Sequence, residues 1–248
     1  SIFIMRYKIN LMSKIRLFCN ESLEEKKEIN IDGDNYHYLA NVMRCEVGSV
    51  VFLFNENDGE FLAKVSSKLK KVLKLIIYER KEYEKIDNDF GIIFCPPKSH
   101  KLDILVQKCT EIGVKNFVPV ISERTENRNL NINRMQKIIL EAVEQSNQIH
   151  VPNICGPVNF TKFIDQFNSE NNEVFFADIQ SDVSISDLKI DNTKSKFILI
   201  GPEGDFSPNE LRILRDSFQS FTIGKRILRS ETAAISSLIL FNNIKAIN

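Results

Sequence analysis

The chain has 248 residues, 43% of them hydrophobic, with 33 basic and 33 acidic side chains. That size suits one large or two medium domains, holds a substantial core and excludes a disordered chain. A formal net charge of zero gives no global attraction to nucleic acid and leaves that role to a local basic face.

The opening SIFIMRYKINLM is too short and too interrupted for a signal peptide, with Met5 and Met12 as alternative starts. Residues 16–85 read as a small, strand-rich domain. Arg16-Leu17-Phe18-Cys19 is its first strand candidate, and Glu28-Ile29-Asn30-Ile31 alternates as a half-buried strand does. Asp34 is placed to cap a short helix through His37, Leu39, Val42 and Met43. Val50 to Phe54 is a strong strand, Asn57-Asp58-Gly59 a hairpin turn, and Phe61–Val65 and Val72–Tyr78 return. Short strands around one helix suggest a small barrel. The cluster Lys64, Lys68, Lys70, Lys71, Lys74, Arg80 and Lys81 reads either as a solvated face or as phosphate contacts. His37 and Arg44, seven apart, fall on one helix face. His37 is either a partly buried surface histidine or an RNA contact.

Residues 81–89 are charged and aperiodic, which places a linker there. From residue 90 the rhythm changes to strands alternating with helices. Gly91 to Cys95 is a buried strand; Ser99 is placed to cap a helix over Leu102, Leu105, Val106 and Cys109 that Gly113 ends. Phe117 to Ile121 is a strand whose Pro119 argues for an edge or a strand end. Residues 122–131 form a polar loop, and residues 133–148 a helix with Ile138, Ile139, Ala142 and Val143 inward. Val174–Ala177 and Phe197–Ile200 are further strands. Ser207, Pro208 and Glu210 form a capping box, with Phe206 and Leu211 as its hydrophobic staple. Phe221-Thr222-Ile223 leads into Gly224, and Ser230 is placed to cap a final helix that is apolar around much of its circumference. Repeated βα units predict an α/β domain over residues 90–248, its sheet mainly parallel with helices on both faces.

Five cysteines, with no C-x-x-C pair, support neither a disulfide framework nor a zinc site. No metal is expected, no apolar run reaches membrane-spanning length, and a soluble cytoplasmic protein is the expectation. The chain lacks a G-x-x-x-x-G-K-[ST] loop, a G-x-G-x-x-G turn, a G-x-S-x-G elbow and H-E-x-x-H. What remains is two strand ends that each deliver a glycine loop, Gly201-Pro202-Glu203-Gly204 and Gly224 to Arg229, beside Arg226, Arg229 and Glu231. In the first, Gly201 and Gly204 are free to take positive φ. That arrangement is a ligand site in an α/β domain, with the ligand unnamed.

The segments IGPEGDFSPNEL and IGKRILRSETA together resemble the signature of the ribosomal RNA small-subunit methyltransferase E family, 16S rRNA (uracil-N3)-methyltransferases of the knotted SPOUT class. Lys98, Gln107, Lys108, Glu111, Gly113, Pro119, the Ser122-Glu123-Arg124 triplet, Glu144-Gln145-Ser146 and Pro152 match in the family's order. RLFCNE and HYLANVMR resemble its PUA-like RNA-binding domain.

The resemblance implies a trefoil knot at the C-terminus, a homodimer, S-adenosyl-L-methionine as cofactor and the small ribosomal subunit as partner. It implies a cofactor pocket of Ile200, Gly201, Pro202, Glu203, Gly204, Ile223, Gly224, Ile227, Leu228, Arg229, Thr232 and Ala233. Arg229 is the residue expected to stabilise a uracil anion, with Arg124 as second choice. Glu231 is either a general base or a carboxylate serving the first turn of a helix. His37, Arg44, Lys98, Arg124 and Arg226 are the expected RNA contacts. Two positions depart from the family pattern. Asp205 stands where a second glycine is usual, and carries strain if that position needs positive φ. Glu144-Gln145-Ser146-Asn147-Gln148 replaces Glu-Gln-x-Gly-Arg, with His150 or Arg128 as partial substitutes for the missing arginine. Two rivals are a SPOUT enzyme acting on another RNA and a non-catalytic RNA-binding or ribosome assembly factor.

Overall fold

The computed structural model describes residues 14–83 and 90–247. Two compact units divide the chain: Ser1–Ile86 with Asn147–His150, and Asp87–Ser146 with Val151–Asn248. Most of the expected linker lies outside the described residues, and Lys81 belongs to a strand.

In the first unit, β1 (Arg16–Phe18), β2 (Glu28–Ile31), β3 (Val50–Asn55), β4 (Gly59–Lys68) and β5 (Leu73–Lys81) form one sheet in the order β1-β3-β4-β5-β2. β1 runs parallel to β3, and the other pairs are antiparallel. On β2 the period of two buries Ile29 and Ile31 and exposes Glu28 and Asn30. The buried pair joins Leu17, Val51, Leu53 and Leu75 around Leu39 and Ala40 of the helix. The β3–β4 turn is set by Asn55, whose side chain accepts from the N–H groups of Asn57 and Asp58 at 3.0 and 2.7 Å.

The helix of this unit departs from expectation. Asp32, not Asp34, occupies the cap position, and its side chain makes no capping bond. α1 (Gly33–Tyr36) passes directly into a π-helical turn, His37–Val42. The wider i→i+5 turn changes which residues share a face. Leu39 is therefore buried while Val42 is 57% exposed. Arg44 lies beyond the turn with φ +54°, so it does not share a helix face with His37.

Arg16 is buried inside a strand. Its Nε donates to Glu60 Oε1 at 2.7 Å, its guanidinium lies over the Phe54 ring, and Nη2 donates to the Gln148 carbonyl at 2.8 Å. Truncating one partner of a buried pair typically costs about 3–5 kcal/mol. That bond helps explain why residues 147–150 belong to this unit.

In the second unit the strands are β6 (Phe90–Phe94), β7 (Asn116–Ile121), β8 (Asn153–Ile154), β9 (Val158–Asn159), β10 (Asn172–Ala177), β11 (Ser195–Ile200) and β12 (Gln219–Phe221). They pair in parallel in the order β12-β10-β11-β6-β7-β8, with β9 also on β7. β8 pairs with residues 116–117 and β9 with residues 120–121, so Pro119 falls between them, where a missing donor is harmless on that side. The helices are α2 (Ser99–Ile112), α3 (Ile132–Gln145), α4 (Phe160–Phe167), α5 (Pro208–Ser217) and α6 (Ser230–Ile247).

Both sheet faces are covered, as βα units require. Ile93, Val120, Phe176, Phe197 and Leu199 pack with Phe163 of α4 and Leu214 of α5. The intervening residues face the other way, where Phe90 and Phe175 meet Phe241 of α6 edge-on or tilted. α6 also packs on α2.

Several local expectations shift. Ser99 is the first helical residue, and Lys98 takes the cap position without a side-chain bond. α3 stops at Gln145 because Asn147 turns left-handed at φ +58°. α4 was not foreseen, although Asn159 caps it by accepting from Lys162 N–H at 2.8 Å and Phe160, Phe163, Ile164 and Phe167 have helical spacing. Ser230 lies inside α6, its hydroxyl bonded to Glu231, and the Arg229 carbonyl accepts the first helical bond from Ala233. β12 starts at Gln219 and excludes Ile223.

The segment after β10 crosses the last turn of the chain. Thr222 N–H donates to the Val183 carbonyl at 2.8 Å, and Ile185 N–H donates to the Thr222 carbonyl at 3.2 Å. The short 3-10 turn Ile185–Asp187 packs on α6. Among the described residues no helix is long and apolar enough to cross a membrane.

Candidate active site

β12, β10 and β11 lie side by side and parallel, so their C-terminal ends open on one edge of the sheet. The loops leaving these three ends enclose a cavity of about 550 Å³. In parallel sheets this edge is where ligands bind. Ile200, Gly201, Pro202, Glu203 and Gly204 form one wall; Ile223, Gly224, Arg226, Ile227, Leu228, Arg229 and Ala233 form a second.

The first wall is held from several directions. Asp205 N–H donates to the Pro202 carbonyl at 3.0 Å and closes the turn. Neither Gly201 nor Gly204 takes positive φ; Asp205 does, at +60°, and its Oδ1 accepts from Phe206 N–H at 2.7 Å. Aspartate is among the few residues that tolerate this region. Gly201 is required by close approach instead, since a Cβ there would lie 2.8 Å from the ring of buried Phe206. Phe206 and Leu211 sit as the staple, and the capping box of α5 is complete. Lys101 of α2 pairs with Glu203 and braces the turn.

Arg124 supports the same wall from outside the cavity. Its Nη1 donates to the carbonyls of Gly204 and Phe206 at 3.0 and 3.4 Å. The loop carrying it is bonded to itself: Arg128 donates to the carbonyls of Ser122, Glu123 and Thr125. Beneath it lies Cys95, whose thiol burial pushes up to about 12 despite hydrogen bonds with Ser122 and Thr125.

The second wall is open. Gly224 adopts φ +133°, a conformation that favours glycine. Its N–H donates to Thr222 Oγ1 at 3.2 Å, and that hydroxyl donates back to the Gly224 carbonyl at 3.0 Å. Residues 224–229 are exposed, Ile227 to 92%. From this loop Arg226 and Arg229 reach the cavity.

Of the expected pocket residues only Thr232 stays outside the lining, and Glu231 does too. Successive helical residues are about 100° apart, so the first turn of α6 presents Ala233 and turns these two away. The third wall, Ala177 at the end of β10 with Asp178 and Ile179 after it, was missed, as were Leu211, Phe221, Thr222 and Ser230. No local sequence signal marks it, because only the strand order sets the end of β10 beside both glycine loops. Asp178 is buried, with Oδ2 accepting from Arg215 at 3.0 and 2.7 Å and Oδ1 from Gln180 N–H at 2.9 Å.

The expected RNA contacts are exposed. His37 Nδ1 is bonded to Asn41, and Lys98 pairs with Glu126 at 3.2 Å. Much of the basic cluster is also paired, Lys68 with Glu46, Lys74 with Glu28 and Lys81 with Glu79. His150 lies 3.1 Å from Glu56, and Arg128 donates to carbonyls of its own loop. Among the described residues no cluster of side chains suits a metal ion.

The model of an RNA methyltransferase domain matches residues 84–242, and that of an RNA methyltransferase PUA domain residues 31–77. The chain is 31% identical to the ribosomal RNA small subunit methyltransferase E of Rickettsia conorii, over 90% of this chain and 93% of that one. It is 27% identical to the protein of that name from Bacillus subtilis, over 88% and 91%. The fold matches that of the Neisseria gonorrhoeae enzyme of the same name, crystallised with S-adenosyl methionine. The TM-score is 0.86 at 24% identity, covering 93% of this chain and 98% of that one. A probable rRNA-methyltransferase from Porphyromonas gingivalis matches at 0.74 and 25% identity, covering 86% and 92%. The chain belongs to the ribosomal RNA small subunit methyltransferase E family, a family of RNA methyltransferases.

Proposed function

We propose that this chain methylates N3 of a uracil in small-subunit ribosomal RNA, using S-adenosylmethionine and working as a homodimer in the cytoplasm. The observation that carries this reading is one cavity built from both motif loops at adjacent strand ends. Its residues fit the cofactor. The volume lies within the usual range for small-molecule sites. Ile200, Leu211, Phe221 and Ile223 offer an apolar slot, the two glycine loops offer main chain, and Asp178 and Glu203 bring carboxylates near. When bound, S-adenosylmethionine supplies a methyl group made electrophilic by the sulfonium.

The residues of the chain then have to hold a uracil in line and favour its deprotonated N3. Arg229 lines the cavity on the open loop, where its guanidinium can offset charge developing on the uracil. Glu231 stands in the first turn of α6 with the Ser230 hydroxyl as partner, a position that favours a carboxylate electrostatically. An unpaired or flipped uracil is required for access. For the homodimer, Ile239 and Leu240 of α6, 46% and 40% exposed, support an apolar partner face.

The test is mass spectrometry of nucleosides from small-subunit RNA of a deletion strain. Loss of 3-methyluridine, restored by this chain, is expected. Its persistence in the deletion strain rejects the assignment. Light scattering tests the dimer, with a monomer as the refuting result.

A further inference from the structure

Glu210 does more than close a capping box. The residue is 7% exposed, and its carboxylate is divided between two donors. Oε2 accepts from Ser207 N–H at 3.0 Å, the capping bond. Oε1 accepts from Glu123 N–H at 2.9 Å, a residue 87 positions away on the loop after β7. The next residue, Arg124, donates to the carbonyls of Gly204 and Phe206. The loop is thus tied by side-chain to main-chain bonds to the first turn of α5 and to the cavity turn.

We infer that Glu210 is a positioning residue that clamps the 122–128 loop onto the cofactor turn, and that Arg124 acts through the Gly204 and Phe206 carbonyls to hold the turn. The inference rests on the proposed function for what the turn binds. The clamp itself rests on geometry alone. A carboxylate is needed because both partners are N–H donors. An amide offers one acceptor and would turn its own N–H toward the second donor. Arg128 and the Ser122–Thr125 hydroxyl pair keep the loop rigid, so a displacement at Glu123 moves Arg124 as well.

The experiment compares Glu210→Gln with Ser207→Ala. Both weaken the cap of α5, but only the first leaves the N–H groups of Ser207 and Glu123 one acceptor between them. Hydrogen exchange of the free protein is read at Glu123, and S-adenosylmethionine affinity by calorimetry. Glu210→Gln should speed exchange at Glu123 and weaken cofactor binding about tenfold, the worth of one bond to a charged acceptor. It should leave the KM for RNA within about twofold. Ser207→Ala should lower Tm while leaving Glu123 exchange unchanged. Arg124→Ala, which removes the Nη1 group that donates to both carbonyls, should weaken cofactor binding in the same direction as Glu210→Gln. Unchanged exchange in Glu210→Gln, or equal cofactor losses in Glu210→Gln and Ser207→Ala, overturns the clamp. A wild-type protein that binds no S-adenosylmethionine overturns the proposed function instead, and the exchange comparison then decides the clamp alone.

Discussion

The two motif loops that share the cavity are built on opposite principles. The turn after β11 is tied down by Lys101, Arg124 and the capping box. The loop after β12 has one threonine hydroxyl bonded at its root and then six exposed residues, 224–229. A fixed wall suits a ligand that is the same in every turnover. An open wall carrying Arg226 and Arg229 suits a larger partner that has to arrive and leave. Contact density, rather than motif likeness, separates the two roles.

The largest expected effect breaks the open wall. Arg229→Ala should slow methyl transfer by about 10²–10³-fold, the usual loss on removing one donor that stabilises developing charge. Because residue 229 is exposed, Tm should barely move. Transfer near the wild-type rate would show that Arg229 supplies no catalytic charge.

The fixed wall should break differently, through packing. Gly201→Ala forces a methyl group against the ring of Phe206 at 2.8 Å. Overpacking of this kind costs about 1–3 kcal/mol. Denaturant unfolding should show that loss together with weakened cofactor binding. Gly224→Ala has open space around it and carries only the cost of its backbone conformation.

The next test is pH. Cys95 lies under the fixed wall with its thiol pushed up to about 12 from 9.0. Above pH 9 the unfolded chain releases this proton and the folded chain keeps it, so the folded state binds more protons and stability falls as pH rises. The contribution is fully present below pH 9 and disappears by pH 12. At pH 10 the loss is about 1 kcal/mol, from 1.36 kcal/mol per pH unit. Urea unfolding of wild type against Cys95→Ala should show a difference in stability that shrinks as pH rises across this window. A constant difference would contradict the burial argument.

Much of this division could be read from the chain. The apolar runs at Phe197–Ile200 and Val174–Ala177, the capping box and both glycine loops fell where expected, because each signal is local. Asp178 escaped because only the order of strands brings the end of β10 beside β11 and β12. The clamp by Glu210 escaped for the same reason: Glu123 and Glu210 meet across the fold. In the first unit, helical spacing misplaced Val42 because the backbone there follows a π turn, which leaves no mark in a 3.6-residue period.

The smallest effect concerns Asp205, a non-glycine residue in the left-handed region. Asn147 occupies another such position, and both residues are left-handed, at φ +60° and +58°. Short polar side chains thus hold left-handed positions at two turns, and in Asp205 the side chain offsets the strain by accepting from Phe206 N–H. Asp205→Gly relieves the strain but removes that bond and frees the unfolded chain. The opposing terms should leave stability within about 0.5 kcal/mol of wild type. Asp205→Ala keeps the strain without the bond and should lose about 1 kcal/mol. If alanine proves as stable as aspartate, the side-chain hydrogen bond does not hold the turn, and its rigidity rests on the main-chain bond to Pro202 together with Lys101, Arg124 and Glu210.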